Sequence, residues 1–162
     1  MKTALEIKEL SGKDKIDNIV EIGCGFGGQA VILDKVFQIK NYTFLDLWQV
    51  NLLIKRFIEN TRFSSKYTIS TLREYQKRID SFDMVISNYA FSELPIQLQE
   101  KYFNEILSKS KNGYLTMNSK EGGGTFDVKN SMSKADIKER IPNCKFSEEE
   151  PKSAKDNYLV TW

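Results

Sequence analysis

Four glycines within six positions, Gly23, Gly25, Gly27 and Gly28, follow directly on the apolar run Ile19-Val20-Glu21-Ile22. A short apolar run closed by glycines reads as a buried strand opening into a tight turn. Glycine is required there for positive backbone dihedrals and for close approach of a ligand to the main chain. Beyond the turn, Ala30, Leu33, Val36 and Phe37 recur at helical spacing. Strand, glycine turn and helix together begin a βαβ unit, which commits the chain to a sheet with parallel neighbours.

The rest of the chain continues the alternation. Residues 42–46 (YTFLD) predict a second strand, and Val50, Leu53, Ile54, Phe57 and Ile58 the apolar face of a helix. Residues 67–71 predict a third strand, and 72–81, mostly polar, at most a weak exposed helix. A fourth strand follows at 83–88 (DMVISN), then a helix opened by Pro95 with Leu98, Tyr102, Phe103, Ile106 and Leu107 on one face and Gly113 suited to its end. Residues 114–117 predict a fifth strand. Ser133 with Asp136 reads as a helix start, closed by Pro142. Two strands, 144–146 and 158–162, end the chain with no helix between them, so one of them is expected to run antiparallel. The expectation is one α/β domain over residues 1–162 with a mostly parallel seven-stranded sheet.

Composition excludes several kinds of chemistry. The 162 residues contain no histidine, which removes an imidazole base and histidine-bound metals. The cysteines, Cys24 and Cys144, lie far apart and are expected to be reduced. No apolar stretch nears the ~20 residues of a membrane span, and the N-terminus has no secretory pattern. A cytoplasmic protein is expected. A net charge of +2 gives no reason to expect nucleic acid as partner.

The glycine loop satisfies two patterns. Gly23, Gly25 and Gly28 match the G-x-G-x-x-G of dinucleotide-binding proteins. Gly23, Gly25 and Gly27, with Cys24 and Phe26 between them, match the G-x-G-x-G of S-adenosylmethionine-dependent methyltransferases. Glu21, at the tip of the strand, would repel a pyrophosphate but suit an ammonium and a sulfonium. Asp46, ending the second strand, can accept from both hydroxyls of a ribose, with Leu47 and Trp48 as apolar cover for an adenine. The two acids favour S-adenosylmethionine, with S-adenosylhomocysteine as product; a solvated strand end for Glu21 and a helix cap for Asp46 are the plainer alternatives.

The blocks IVEIGCGFGGQ, YTFLDLWQVNLLIKRFI, FDMVISNYAFSELPIQLQEKYFNEIL, NGYLTMNS and EEEPKSAKDNYLVTW resemble those of the sugar O-methyltransferases associated with bacterial surface polysaccharides. The resemblance spans about residues 18–162. It implies the Rossmann-like, seven-stranded class I methyltransferase sheet with an antiparallel last strand, and a sugar, nucleotide-sugar or glycan acceptor. Two features depart from it. The family carries a substantial segment before the glycine loop, where this chain has residues 1–18, and residues 70–73 offer no acid for an adenine before Glu74.

Methyl transfer needs an acceptor oxygen held about 3–3.5 Å from the activated carbon and a base for its proton. With histidine absent, Glu93 is the candidate base, with Asn88 and Tyr89 positioning cofactor or acceptor. Glu93 could equally cap, with Ser92, the helix that starts near Pro95. The Gly122–Gly124 run reads as a lid or as a connector, and Glu148–Glu150 as a solvated segment. No metal is expected. The competing readings are a non-catalytic S-adenosylmethionine-binding domain and an NAD-linked oxidoreductase.

Overall fold

A computed structural model describes residues 1–75, 81–119 and 131–162. Seven strands form one sheet in the order β3-β2-β1-β4-β5-β7-β6. They are β1 (Lys15–Ile22), β2 (Gln38–Leu45), β3 (Lys66–Ser70), β4 (Phe82–Asn88), β5 (Ser110–Met117), β6 (Lys145–Glu148) and β7 (Tyr158–Thr161). The first five pair in parallel, and β7 alone runs against its neighbours β5 and β6. The expected fold class and the terminal hairpin are both present.

Interior strand β1 carries the apolar run 19–22, interrupted only by Glu21, because both of its faces are covered. Val20 and Ile22 enter a core with Val85, Phe91, Leu115 and Val160. Ile19 enters the opposite core with Tyr42, Phe44, Met84 and Ile86. The helices are α1 (Lys2–Ser11), α2 (Gly28–Val36), α3 (Trp48–Glu59), α4 (Ala90–Glu93), α5 (Ile96–Glu105) and α6 (Lys134–Arg140). Helix α6 has the expected capping box between Ser133 and Asp136.

Several elements differ from the sequence reading. Helix α1 went unforeseen because only Ala4 and Ile7 are buried on it. Strands β1 and β2 begin earlier than expected, since their first four residues are polar apart from Ile16 and Ile39 and the strands are recognisable there only by pairing with each other. Leu53 lies outside the buried stripe of α3, which is carried by Ile54 and Ile58. Gly113 does not end a helix. It lies within β5 beneath Trp162, where a Cβ would come within 2.1 Å of the indole. The expected weak helix at 72–81 lies partly, and the Gly122–Gly124 run wholly, outside the described residues.

All parallel strands end on one edge. That edge carries the glycine loop after β1, Asp46 after β2, the 89–93 turn after β4, and Asn118 after β5. The connection 149–157 joins them there, because β6 ends and β7 begins opposite Met117.

Candidate active site

In the glycine loop, Gly23, Gly25 and Gly27 have φ of 71°, 57° and 87°, the left-handed region, and Gly28 does not. The G-x-G-x-G set is therefore the one whose backbone demands glycine, which argues against the dinucleotide pattern. Gly23 lies against Ala90: an added Cβ would stand 2.0 Å from the alanine Cβ. This contact joins the loop to the end of β4 at the place where the strand order reverses, the position at which open α/β sheets bind ligands. At Gly25 an added Cβ would meet nothing within 4 Å.

Asp46 is half-buried beside the loop. Its Oδ2 accepts from the Gly25 amide at 3.2 Å and its Oδ1 from the Leu47 amide at 2.7 Å. Helix α3 starts at Trp48 with no side-chain cap, so Asp46 holds the loop rather than the helix. Leu47, Trp48 and Phe26 stay exposed around it, and Phe26 rests edge-on against Phe57. Cys24 is turned under the loop, its thiol directed at the Glu21 and Leu45 carbonyls, so position 24 presents main chain to a ligand. Both cysteines are free thiols.

Glu21 departs from expectation. Its side chain is 3% exposed and accepts a 2.6 Å hydrogen bond from the Tyr42 hydroxyl. Burial, reinforced by Asp46 and opposed by the Tyr42 bond, moves its pKa from 4.5 to about 8. At neutral pH the residue is mostly protonated, so repulsion of a pyrophosphate by an open carboxylate does not describe it. Here the folded state keeps a proton that the unfolded chain has released. The stability this gives is full below pH 4.5 and is lost as pH rises through about 8, at up to ~1.4 kcal/mol per pH unit. Glu21→Gln, which keeps an acceptor for Tyr42, is expected to flatten that decline; urea unfolding at pH 5 and pH 8 measures it.

Asn88 ties the end of β4 to its neighbours: its Nδ2 donates to Gln29 Oε1 at 2.6 Å, and its Oδ1 accepts from Thr116 at 3.1 Å. Two buried polar atoms flank the loop with no partner among the described residues. Gln29 Nε2 is an unused donor in the first turn of α2, and Asn51 Oδ1 an unused acceptor on α3, whose own Nδ2 donates to the Asp46 carbonyl. Buried polar groups are nearly always bonded, so both mark places where a ligand's polar atoms fit. Neither residue stood out in the sequence, since uncharged amides are common on helices.

Tyr89 occupies a left-handed conformation rare outside glycine, φ 65°. Its hydroxyl hydrogen-bonds to the Glu149 carboxylate and lies 2.9 Å from Ser153 Oγ. Glu93 is exposed and accepts from Asn118 Nδ2 at 3.0 Å. Neither Ser92 nor Glu93 caps α5, whose first turn follows Pro95 without a side-chain cap. Glu149 is also a correction: within the acidic triplet read as solvated, it is turned inward and 7% exposed. Beside Asn118 opens a cleft of about 370 Å³ lined by Ser119, Ser131, Ser133, Lys134, Asp156 and Tyr158. No group of three or more His, Cys, Asp or Glu side chains that could hold a metal occurs among the described residues, and no helix is long and apolar enough to cross a membrane.

A left-handed glycine loop closed by a strand-end carboxylate, on a sheet with one reversed strand, defines a methyltransferase fold. The family described as methyltransferase domain matches residues 20–116, more than half of the chain, and the chain belongs to it. Among solved structures it is similar to the N-methyltransferase NodS from Bradyrhizobium japonicum WM9, at 14% identity and TM-score 0.71, covering 99% of this chain and 92% of that one. It is also similar to the methyltransferase domain of bacterial CtHen1-C, at 14% identity and TM-score 0.69 over 99% and 93% of the two chains. A third is magnesium protoporphyrin IX methyltransferase (ChlM) from Synechocystis PCC 6803 with bound SAH, at 12% identity and TM-score 0.67 over 99% and 81%. At such identities these likenesses speak for the fold. No curated protein sequence matches the chain significantly.

Proposed function

We propose that the protein is an S-adenosylmethionine-dependent O-methyltransferase that methylates a sugar hydroxyl, in the synthesis of surface polysaccharides as its sequence resemblance implies. The observation that carries the cofactor reading is the loop itself: three left-handed glycines open beside Asp46, with an unused donor at Gln29 and an unused acceptor at Asn51. An amino-acid nucleoside carries matching groups, a carboxylate for the donor and ribose hydroxyls for the acceptors. When bound, S-adenosylmethionine supplies a methyl group activated by its sulfonium.

In this reading Gly23–Gly27, including the main chain of Cys24 and Phe26, cradle the cofactor, Asp46 takes the ribose, and Leu47 and Trp48 cover the adenine. Asn88 orients Gln29 toward the amino-acid end, and Glu21 supplies a buried carboxyl that a nearby cation would ionise. ChlM, solved with SAH, uses the same fold. Support for an oxygen-rich acceptor comes from the cleft beside Asn118, whose hydroxyl and charged groups suit a polyol. Tyr89, next to Ala90 of the Gly23 contact, and Glu93, bonded to Asn118 of the cleft, are the candidates for the reaction itself.

Calorimetry with S-adenosylhomocysteine and with NADH tests the cofactor. Binding of the first is expected, and NADH binding without it overturns the reading. A tritiated-methyl assay on nucleotide sugars and glycans tests the acceptor, with label expected on a sugar oxygen; label only on nitrogen acceptors would reject the sugar assignment.

A further inference from the structure

We propose that Glu149 is the terminal proton acceptor of the methyl-transfer site and works through Tyr89, forming a tyrosine–carboxylate relay; this rests on the methyltransferase reading above. Four observations carry it.

The first is burial. Glu149 is 7% exposed and forms no ion pair among the described residues, yet it accepts three hydrogen bonds: from the Tyr89 hydroxyl, from the Ser153 amide at 3.1 Å and from the Ser153 hydroxyl at 2.6 Å. Taking a carboxylate out of water costs several kcal/mol unless its neighbours are arranged to receive it. The second is that the arrangement is extensive. Asn157 Nδ2 donates to Ser153 Oγ at 3.1 Å, and Asn157 Oδ1 accepts from the Ser119 amide at 3.0 Å, which fixes the 149–157 connection to the end of β5.

The third observation concerns unused capacity. Tyr89 gives its single proton to Glu149, and the single proton of Ser153 also goes to Glu149. Ser153 Oγ faces the Tyr89 oxygen on one side at 2.9 Å, which leaves one lone pair of that oxygen for an incoming hydroxyl. The fourth is backbone placement. The left-handed conformation at Tyr89 is held by its amide bond to the Thr116 carbonyl, 2.8 Å, and by Ala90 against Gly23. Strain of this kind persists where surrounding structure enforces it, and it clusters at active sites. Glu93, by contrast, is exposed and engaged with Asn118.

The acceptor oxygen bonds to the methyl carbon as the carbon–sulfur bond breaks and its electron pair returns to sulfur, leaving a neutral thioether. The acceptor's proton passes to the Tyr89 oxygen, the Tyr89 proton passes to Glu149, and Glu149 later releases it to solvent. Burial, with Glu149 alongside, holds the Tyr89 phenol above its ordinary value. Although burial alone would raise the Glu149 carboxyl, hydrogen bonds from Ser153 and Tyr89, with Lys2 of α1 nearby, hold it below. At neutral pH the proton therefore rests on the phenol until another arrives.

The test uses the full chain labelled with 3-fluorotyrosine, with Tyr89→Phe assigning the fluorine signal. In Glu149→Gln, which can still accept the phenol's bond, the Tyr89 midpoint is expected to fall by about one pH unit on loss of the adjacent negative charge. An unchanged midpoint overturns the coupling, whether or not any acceptor is methylated. With UDP-glucose, GDP-mannose and dTDP-rhamnose as probes, Glu149→Gln is expected to lower kcat by about 100-fold or more with little change in KM, and to displace the kcat–pH profile. Wild-type kcat in Glu149→Gln, or a loss confined to Glu93→Gln, overturns the relay alone. A wild-type protein that binds no S-adenosylhomocysteine overturns the functional reading and the relay with it.

Discussion

Asp46→Ala is expected to bind S-adenosylhomocysteine at least about tenfold more weakly while remaining folded. The carboxylate accepts from the Gly25 and Leu47 amides and keeps lone pairs for a ribose. Removing it deletes one to two hydrogen bonds between ligand and a charged group, at ~1.5–3 kcal/mol each. It also frees the Gly25 amide, so the loop must be ordered again on binding. The dissociation constant should rise about tenfold at the least, and by roughly 150-fold to 25,000-fold if both bonds are lost. Asp46→Asn, which keeps one acceptor oxygen, should fall between. Calorimetry at fixed salt decides it: an unchanged constant in Asp46→Ala means that the ribose lies elsewhere. Asp46 is half-buried and unpaired with any cation among the described residues, so the thermal midpoint should move little.

Gly23→Ala should have the opposite profile, a loss of folding rather than of a contact. The new methyl would stand 2.0 Å from the Ala90 Cβ, at a φ of 71° that an L-residue adopts only at a cost. Left-handed backbone costs ~1–2 kcal/mol and overpacking a further ~1–3 kcal/mol, against a total stability of ~5–15 kcal/mol. A fall in Tm of roughly 5–15 °C is expected. Gly25→Ala provides the internal comparison, because it has a similar φ but nothing within 4 Å of the added atom. It should lose only the backbone cost while placing a methyl group where the cofactor is proposed to lie. Equal destabilisation by the two substitutions would show that the Gly23–Ala90 contact is not what holds the loop to β4.

Where the sequence reading succeeded, the signal was local. The apolar run before Gly23 can be buried on both sides only in the middle of a sheet, and glycines at alternate positions announce left-handed backbone. Asp46 followed because it ends the next apolar run, and strand ends in a parallel sheet share one edge. The Ser133–Asp136 box and the closing hairpin are likewise encoded within a few residues. Sequence signals mislead where their meaning depends on a partner far along the chain. Gly113 looks like a helix stop until Trp162 is found above it, 49 positions later in the sequence. Leu53 has the right spacing for a buried face, but the stripe of α3 that meets the sheet is narrower than its apolar content.

The chain's own letters thus determined the sheet, its handover to the first helix, and the carboxylate that closes the loop, because each rests on periodicity or on the conformational freedom of single residues. The tertiary structure alone decided the charge and company of the acids. Glu21 looks like an ionised strand-end carboxylate and is instead a buried acid beneath Tyr42, pushed to about pH 8 by loss of solvent. Glu149 looks like one of three solvated acids and is instead folded inward onto Tyr89, sixty residues away. Ionisation and hydrogen bonding depend on what else occupies the surrounding few ångströms, and that is set only when distant segments meet at the carboxyl edge of the sheet.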